Sequence, residues 1–137
     1  MRVQQRVGDE RGSMAVEVIV LVPILLLMLM LIVAFGRYVS AQGDAQAIAR
    51  DAVRAATLER TSADALDAAR QVAEASAPSS MTCRPAELSG TFQAGEVIGV
   101  DLTCTVSFAD LTVPGLPGST TITATSSAPL DEYRRSG

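Results

Sequence analysis

The sequence predicts an α+β protein: a long N-terminal transmembrane helix that continues into an amphipathic helix, a second short helix, and a small C-terminal antiparallel sheet. Three observations predict this fold class. Residues 18–35 form an apolar run without a charge, residues 45–56 repeat apolar side chains at three- and four-residue spacing, and residues 100–108 alternate between apolar and polar. The chain therefore divides into a leader (1–12), a transmembrane helix (13–37), an amphipathic helical region (38–77) and a β-rich domain (78–137).

The apolar run is long enough to cross a bilayer. As a helix, residues 18–35 rise ~27 Å, and the hydrocarbon core of a bilayer is about 30 Å thick. Arg2, Arg6 and Arg11 precede the run and favour a cytoplasmic N-terminus, although arginines also follow it from Arg37 onward. We expect a single-pass protein of the cytoplasmic membrane with its C-terminal domain outside the cytoplasm.

Two residues distinguish this span from a plain anchor. Glu17 places a carboxylate at the edge of the hydrocarbon, where a charge is costly and usually has a partner. Pro23 lacks a backbone donor and predicts a kink, which membrane helices tolerate where neighbouring helices cover the freed carbonyl. Both residues indicate packing against other helices, and an ordinary kinked anchor is the alternative for Pro23.

The helical pattern continues past the span and then restarts. Thr61 or Ser62 is predicted to cap a second helix, with Asp64 in its first turn and its end before Pro78. Acidic and basic residues alternate along this region, which indicates a solvated face with ion pairs rather than a catalytic carboxylate pair.

The β-rich domain is predicted to be a meander of about three antiparallel strands at 88–92, 100–108 and 120–125. A sheet this small has little core of its own, so its apolar face is expected to pack on the amphipathic helices. If this domain is exported, Cys83 and Cys104 are expected to form a disulfide that closes a loop of about 20 residues and stabilises the fold by ~3 kcal/mol. Free thiols are the alternative.

Composition limits the classes of function. All 11 basic residues are Arg, His is absent and the net charge is −4, so we expect no nucleic-acid partner. Two cysteines without histidine supply too few ligands for zinc. The sequence has no Gly-x-Ser-x-Gly elbow and no phosphate-binding loop. We expect no enzyme activity, no cofactor, no metal site and no small-molecule substrate.

The residues around the span resemble a known family. Residues 11–17 read RGSMAVE, the apolar run contains Pro23, and residues 34–37 read AFGR. This pattern is similar to the N-terminal region of TadE-like proteins, the minor pseudopilins of tight-adherence (Flp) pilus systems. The chain departs from the family pattern at Val18, where an aromatic residue is usual.

The resemblance implies maturation by a prepilin peptidase. In type IV pilin-like precursors this enzyme cuts after a glycine at the cytoplasmic face, and a glutamate lies five residues into the mature chain. Those positions correspond here to Gly12, to Ser13 as the new N-terminus, and to Glu17. Glycine lets the backbone approach a peptidase closely, and Glu17 can neutralise the Ser13 amine of a neighbouring subunit inside a low-dielectric assembly.

The function implied is that of a membrane-anchored minor pseudopilin, a structural component in the assembly of a tight-adherence pilus. Its expected partners are the membrane, the prepilin peptidase, other pilin-like subunits and pilus assembly proteins. Two alternatives remain open. Signal peptidase I could cut after Ala41 and release a small secreted protein that begins at Gln42. The chain could also be a generic single-pass extracytoplasmic protein.

Overall fold

The computed structural model describes residues 10–111 and 115–133, and the predicted leader therefore lies largely outside the described residues. Two helices precede four strands, which confirms the α+β class. The elements are α1 (Glu10–Leu58), α2 (Ser62–Ser76), β1 (Met81–Cys83), β2 (Glu87–Gly90), β3 (Val97–Ser107) and β4 (Ser119–Pro129).

Helix α1 is one continuous helix of 49 residues. It joins the apolar run to the amphipathic region without a break and continues through Pro23. At 1.5 Å per residue it is about 70 Å long, more than twice the hydrocarbon thickness of a bilayer. The helix is therefore long enough for one half to pack against the rest of the chain while the other half has the length and composition to span a membrane.

Helix α2 begins and ends where local sequence chemistry predicts. Thr61 is the N-cap, and its Oγ1 accepts a hydrogen bond from the Asp64 backbone N–H at 3.1 Å. The helix ends at Ser76 because Ala77, the residue before Pro78, has extended backbone angles. The buried residues of α2 are all alanines, and their small side chains let α2 pack closely on α1.

The sheet is antiparallel and centred on β3. Strand β4 pairs with β3 along its whole length, from Val97 opposite Pro129 to Ser107 opposite Ser119. Strands β1 and β2 share the other side of β3. Because β1 and β2 lie end to end along one edge of β3, here called the edge row, the four strands form a sheet that is three strands wide. The sequence prediction of about three strands matches this width but omits β1.

A bulge separates β1 from β2. Residues 84–86 lie opposite only two residues of β3, because Cys83 pairs with Cys104 and Glu87 pairs with Asp101. The Arg84 N–H still donates to the Thr103 carbonyl at 2.9 Å, whereas Pro85 has no N–H to donate. One edge row is thereby divided into two short strands.

Strand β2 ends at Gly90, two residues before the predicted end at Phe92. Gly90 has a φ of +89°, and a Cβ at this position would lie 2.5 Å from the Val97 carbonyl oxygen. Only glycine fits this conformation and this close approach, so the chain leaves the sheet here. Strand β4 in turn runs past its predicted end at Thr125 to Pro129.

The core lies between the sheet and the helices. Alternate residues of β3 are buried, among them Ile98, Val100 and Leu102, as the strict alternation in sequence predicts. They form one apolar cluster with α1 residues from Ala41 to Ala56. The C-terminal half of α1 therefore supplies the apolar side chains that the small sheet needs to form a core.

Candidate assembly and membrane-anchoring surface

The N-terminal half of α1, residues 14–40, is an apolar rod that the rest of the chain leaves largely uncovered. From Met14 to Ser40 every side chain is exposed except that of Ala34, which is 5% exposed. This segment lies in a candidate membrane span, whose most apolar 18-residue window has a mean hydropathy of 3.3. Exposed apolar area of this extent is typical of a surface that contacts lipid or other protein helices.

The structure places the predicted processing and assembly residues at the start of this rod. Gly12 and Ser13 lie in the first turn of α1, and Glu17 follows one helical turn after Ser13. The side chain of Glu17 is exposed, as is Pro23 in the next turns. The roles of these four residues in cleavage and assembly remain predictions.

Cys83 and Cys104 form a disulfide, as predicted for an exported domain. The two residues are direct cross-strand partners of β1 and β3, and Cys104 is fully buried. The bond ties the shortest strand to the centre of the sheet beside the bulge at residues 84–86. It therefore holds the edge row where backbone pairing is interrupted.

Two polar contacts dock the sheet on α1 just beyond the apolar run. Arg37 Nη1 lies 2.7 Å from Asp110 Oδ1, in the connection between β3 and β4. One turn later, Gln42 Nε2 donates to the Thr123 carbonyl of β4 at 3.3 Å. Sequence reasoning missed both contacts, because partners 73 and 81 positions apart leave no local pattern.

The comparisons with known proteins support the resemblance of the N-terminal region. The family model described as TadE-like protein matches residues 12–54. The TadE-like resemblance is confirmed over this segment. The match begins at Gly12 and ends within α1, so it covers the uncovered rod and most of the packed half but less than half of the chain. No curated protein and no solved structure matches the chain.

Polar residues of the TadE-like segment and of the sheet meet at one cleft. A cleft of about 490 Å³ between α1 and the sheet is lined by Arg37, Asp44 and Asp110 together with serine hydroxyls. Within residues 10–111 and 115–133 there is no group of three His, Cys, Asp or Glu side chains that could hold a metal ion. Two of the charged side chains at this cleft, Arg37 and Asp110, are already paired with each other.

The ion pair between Arg37 of the TadE-like segment and Asp110 gives a pH-dependent contact. The Arg37 hydrogen bond holds the pKa of the Asp110 carboxyl below its usual value. Since the pKa of this acid is lowered in the folded chain, the contact is complete above the ordinary aspartate range near pH 4 and is lost as the pH falls through the lowered pKa.

We expect Arg37→Gln to raise the pKa of Asp110 toward its usual range, because the variant removes the charged donor that is the largest cause of the lowering. Carboxyl-carbon NMR titration of the full chain in detergent micelles measures this shift directly. Arg54→Gln is the matched control, since Arg54 is an exposed arginine further along α1. A carboxyl titration that is the same in Arg37→Gln and wild type would show that the pair does not form in solution.

Proposed function

We propose that this chain is a membrane-anchored minor pseudopilin, a structural component in the assembly of a tight-adherence (Flp) pilus. The observation that carries the proposal is the TadE-like match that begins at Gly12 and follows α1. The architecture supports it: one half of this helix is an exposed apolar rod, and the other half carries a small disulfide-bonded domain.

The disulfide supports an orientation with the sheet outside the cytoplasm. Disulfides persist in oxidising compartments and are rare in the cytosol. A bilayer around the apolar run then leaves residues 1–12 on the cytoplasmic side, in agreement with the arginines that precede the run. In this orientation Gly12 is presented at the cytoplasmic face, where a prepilin peptidase acts on pilin-like precursors.

The exposed rod is the proposed assembly surface. Other pilin-like subunits would pack against the apolar face of α1, with Glu17 neutralised by a Ser13 amine and Pro23 accommodated by a neighbouring helix. In this role the chain is a substrate of the peptidase and a building block. We assign it no catalytic activity and no cofactor.

The N-terminus of the mature protein tests the processing step. We expect intact-mass measurement of the membrane-purified protein to show a chain that begins at Ser13 when an active prepilin peptidase is present. The same protein from a strain with an inactive peptidase should begin at Met1. Chains that begin only at Met1 in both strains would contradict processing, and a soluble chain that begins at Gln42 would establish the secreted alternative.

A further inference from the structure

We infer that the described part of the connection between β3 and β4 is a second membrane contact, which lies beside α1 in the lipid of the outer leaflet. Its described residues are 108–111 and 115–118, here called the docking loop. The inference rests on the proposed membrane insertion of α1, but it does not depend on processing or on pilus assembly. Its partner is a lipid surface.

Two contacts and one shared cleft place the docking loop beside α1, at the end of its apolar run. Thr123 of β4 lies beside Gln42, and Asp110 lies beside Arg37, which immediately follows the apolar run. Leu116 and Pro117 then line a cleft of about 230 Å³ together with Leu31. The order of these contacts runs from the aqueous half of α1 into its apolar half.

The depth of the docking loop follows from helix geometry. Leu31 precedes Arg37 by six positions, which is about 9 Å along the axis of α1. Structures that lie in the membrane interface bury their apolar side about 5–10 Å below the headgroups. The α1 residues that line the cleft run from Tyr38 back to Leu31, so with Arg37 at the headgroup level Leu116 and Pro117 lie between the headgroups and a depth of about 9 Å.

The chemistry of the loop fits this depth. Residues 115–118 carry no charge, whereas Asp110 and Arg37 form their ion pair at the polar edge. Tyr38, which also lines the cleft, has the amphipathic ring that is enriched at membrane interfaces. Lipid covers this cleft in our proposal because its wall is continuous with the apolar rod that the bilayer already surrounds.

Backbone groups of the docking loop are compatible with an interfacial position. An unpaired N–H or carbonyl in hydrocarbon is costly. The Phe108 N–H donates to the Gly118 carbonyl at 2.8 Å, and the Leu111 N–H donates to the Phe108 carbonyl at 2.9 Å. Pro117 has no backbone N–H, so this residue places no unpaired donor near the acyl chains.

Tryptophan quenching in vesicles tests the inference, because the chain contains no Trp and each variant carries one reporter. Leu116→Trp and Pro117→Trp report on the docking loop in the full-length protein, reconstituted at low density in phosphatidylcholine vesicles. Ile32→Trp is the control for lipid contact and Leu58→Trp the control for water, since both side chains are exposed on α1. Disulfide formation on a non-reducing gel confirms that each variant folds.

We expect phosphatidylcholine brominated near the top of its acyl chains to abolish most of the emission of both loop reporters, as for Ile32→Trp, and aqueous iodide to leave it unchanged. Iodide quenching like that of Leu58→Trp would place the loop in water and overturn the inference. Leu116 is half-buried against the chain's own core, so Pro117→Trp decides the remaining outcome: its protection from both quenchers would mean that a second copy of the protein covers the loop, and would overturn the inference. If Ile32→Trp itself escapes the brominated lipid, membrane insertion of α1 fails and the proposed function fails with it.

Discussion

Glu17→Ala is expected to lower the co-isolation of this chain with other pilin-like subunits by about a hundredfold. Removal of one member of a buried charge pair leaves the other charge unpaired and costs about 3 kcal/mol, which corresponds to roughly that factor in an association constant. The side chain of Glu17 is exposed at the start of the apolar rod, which is the proposed assembly surface. The measurement is quantitative mass spectrometry of affinity-purified complexes from a detergent extract.

A contact within the chain competes with this explanation. Ser13 and Glu17 are four positions apart on α1, so after cleavage the Ser13 amine could pair with Glu17 of the same helix. Such a pair would neutralise the acid without a neighbour. In that case Glu17→Ala would change the stability of α1 only slightly, and the yield of partner subunits would stay at the wild-type level.

Matched variants separate these two outcomes. Glu74→Ala removes an exposed acid from α2, outside the rod, and should leave co-isolation unchanged. Glu17→Gln keeps the shape and the hydrogen-bonding capacity but loses the charge, so it should resemble Glu17→Ala if charge pairing holds the subunits together. The N-terminus of each variant is measured in the same samples, so that a loss of cleavage is not mistaken for a loss of assembly.

The double variant Cys83→Ala/Cys104→Ala is expected to lower the free energy of unfolding of the C-terminal domain by ~3 kcal/mol. Without the bond, the unfolded chain regains the freedom of a loop of about 20 residues. The folded state also loses the covalent tie beside the bulge, where only three residues of β1 pair with β3. Urea denaturation of the full-length protein in detergent micelles, followed by circular dichroism, measures the change.

The neighbouring cross-strand pair provides the control for this experiment. Thr82 and Thr105 are opposite each other, and both are exposed. Thr82→Ala/Thr105→Ala should cost at most about 1 kcal/mol, the upper range for one side-chain pair across strands. If a reductant leaves the unfolding of the wild-type protein unchanged, the disulfide does not stabilise the domain.

Local chemistry made much of the fold predictable. The cap at Thr61, the stop before Pro78 and the alternation along β3 each depend on residues close together in sequence, and the structure has all three. The prediction was less complete for the edge row. Strand β1 is only three residues long and β2 only four, too short for an alternating pattern to distinguish them from loop.

The candidate site likewise has features that the sequence predicted and features that only the structure shows. The apolar run and Gly12 were evident from sequence, and the TadE-like match covers both. The packing of the sheet on the amphipathic helices was expected, but the Arg37–Asp110 contact was not evident, because it joins residues 73 positions apart. An exposed arginine after a membrane span has many conceivable partners, and only the fold selects one.

The sequence by itself determined the apolar helix and its continuation into the amphipathic helix, the second helix, the central strand and the pair of cysteines. These features follow from hydropathy, periodicity and residue type within short windows. The tertiary structure alone decided that the edge row is divided by a bulge and that residues of the β3–β4 connection lie beside the end of the apolar run. These features depend on contacts between segments that are far apart in sequence, and the packing of the whole core determines which of those contacts form.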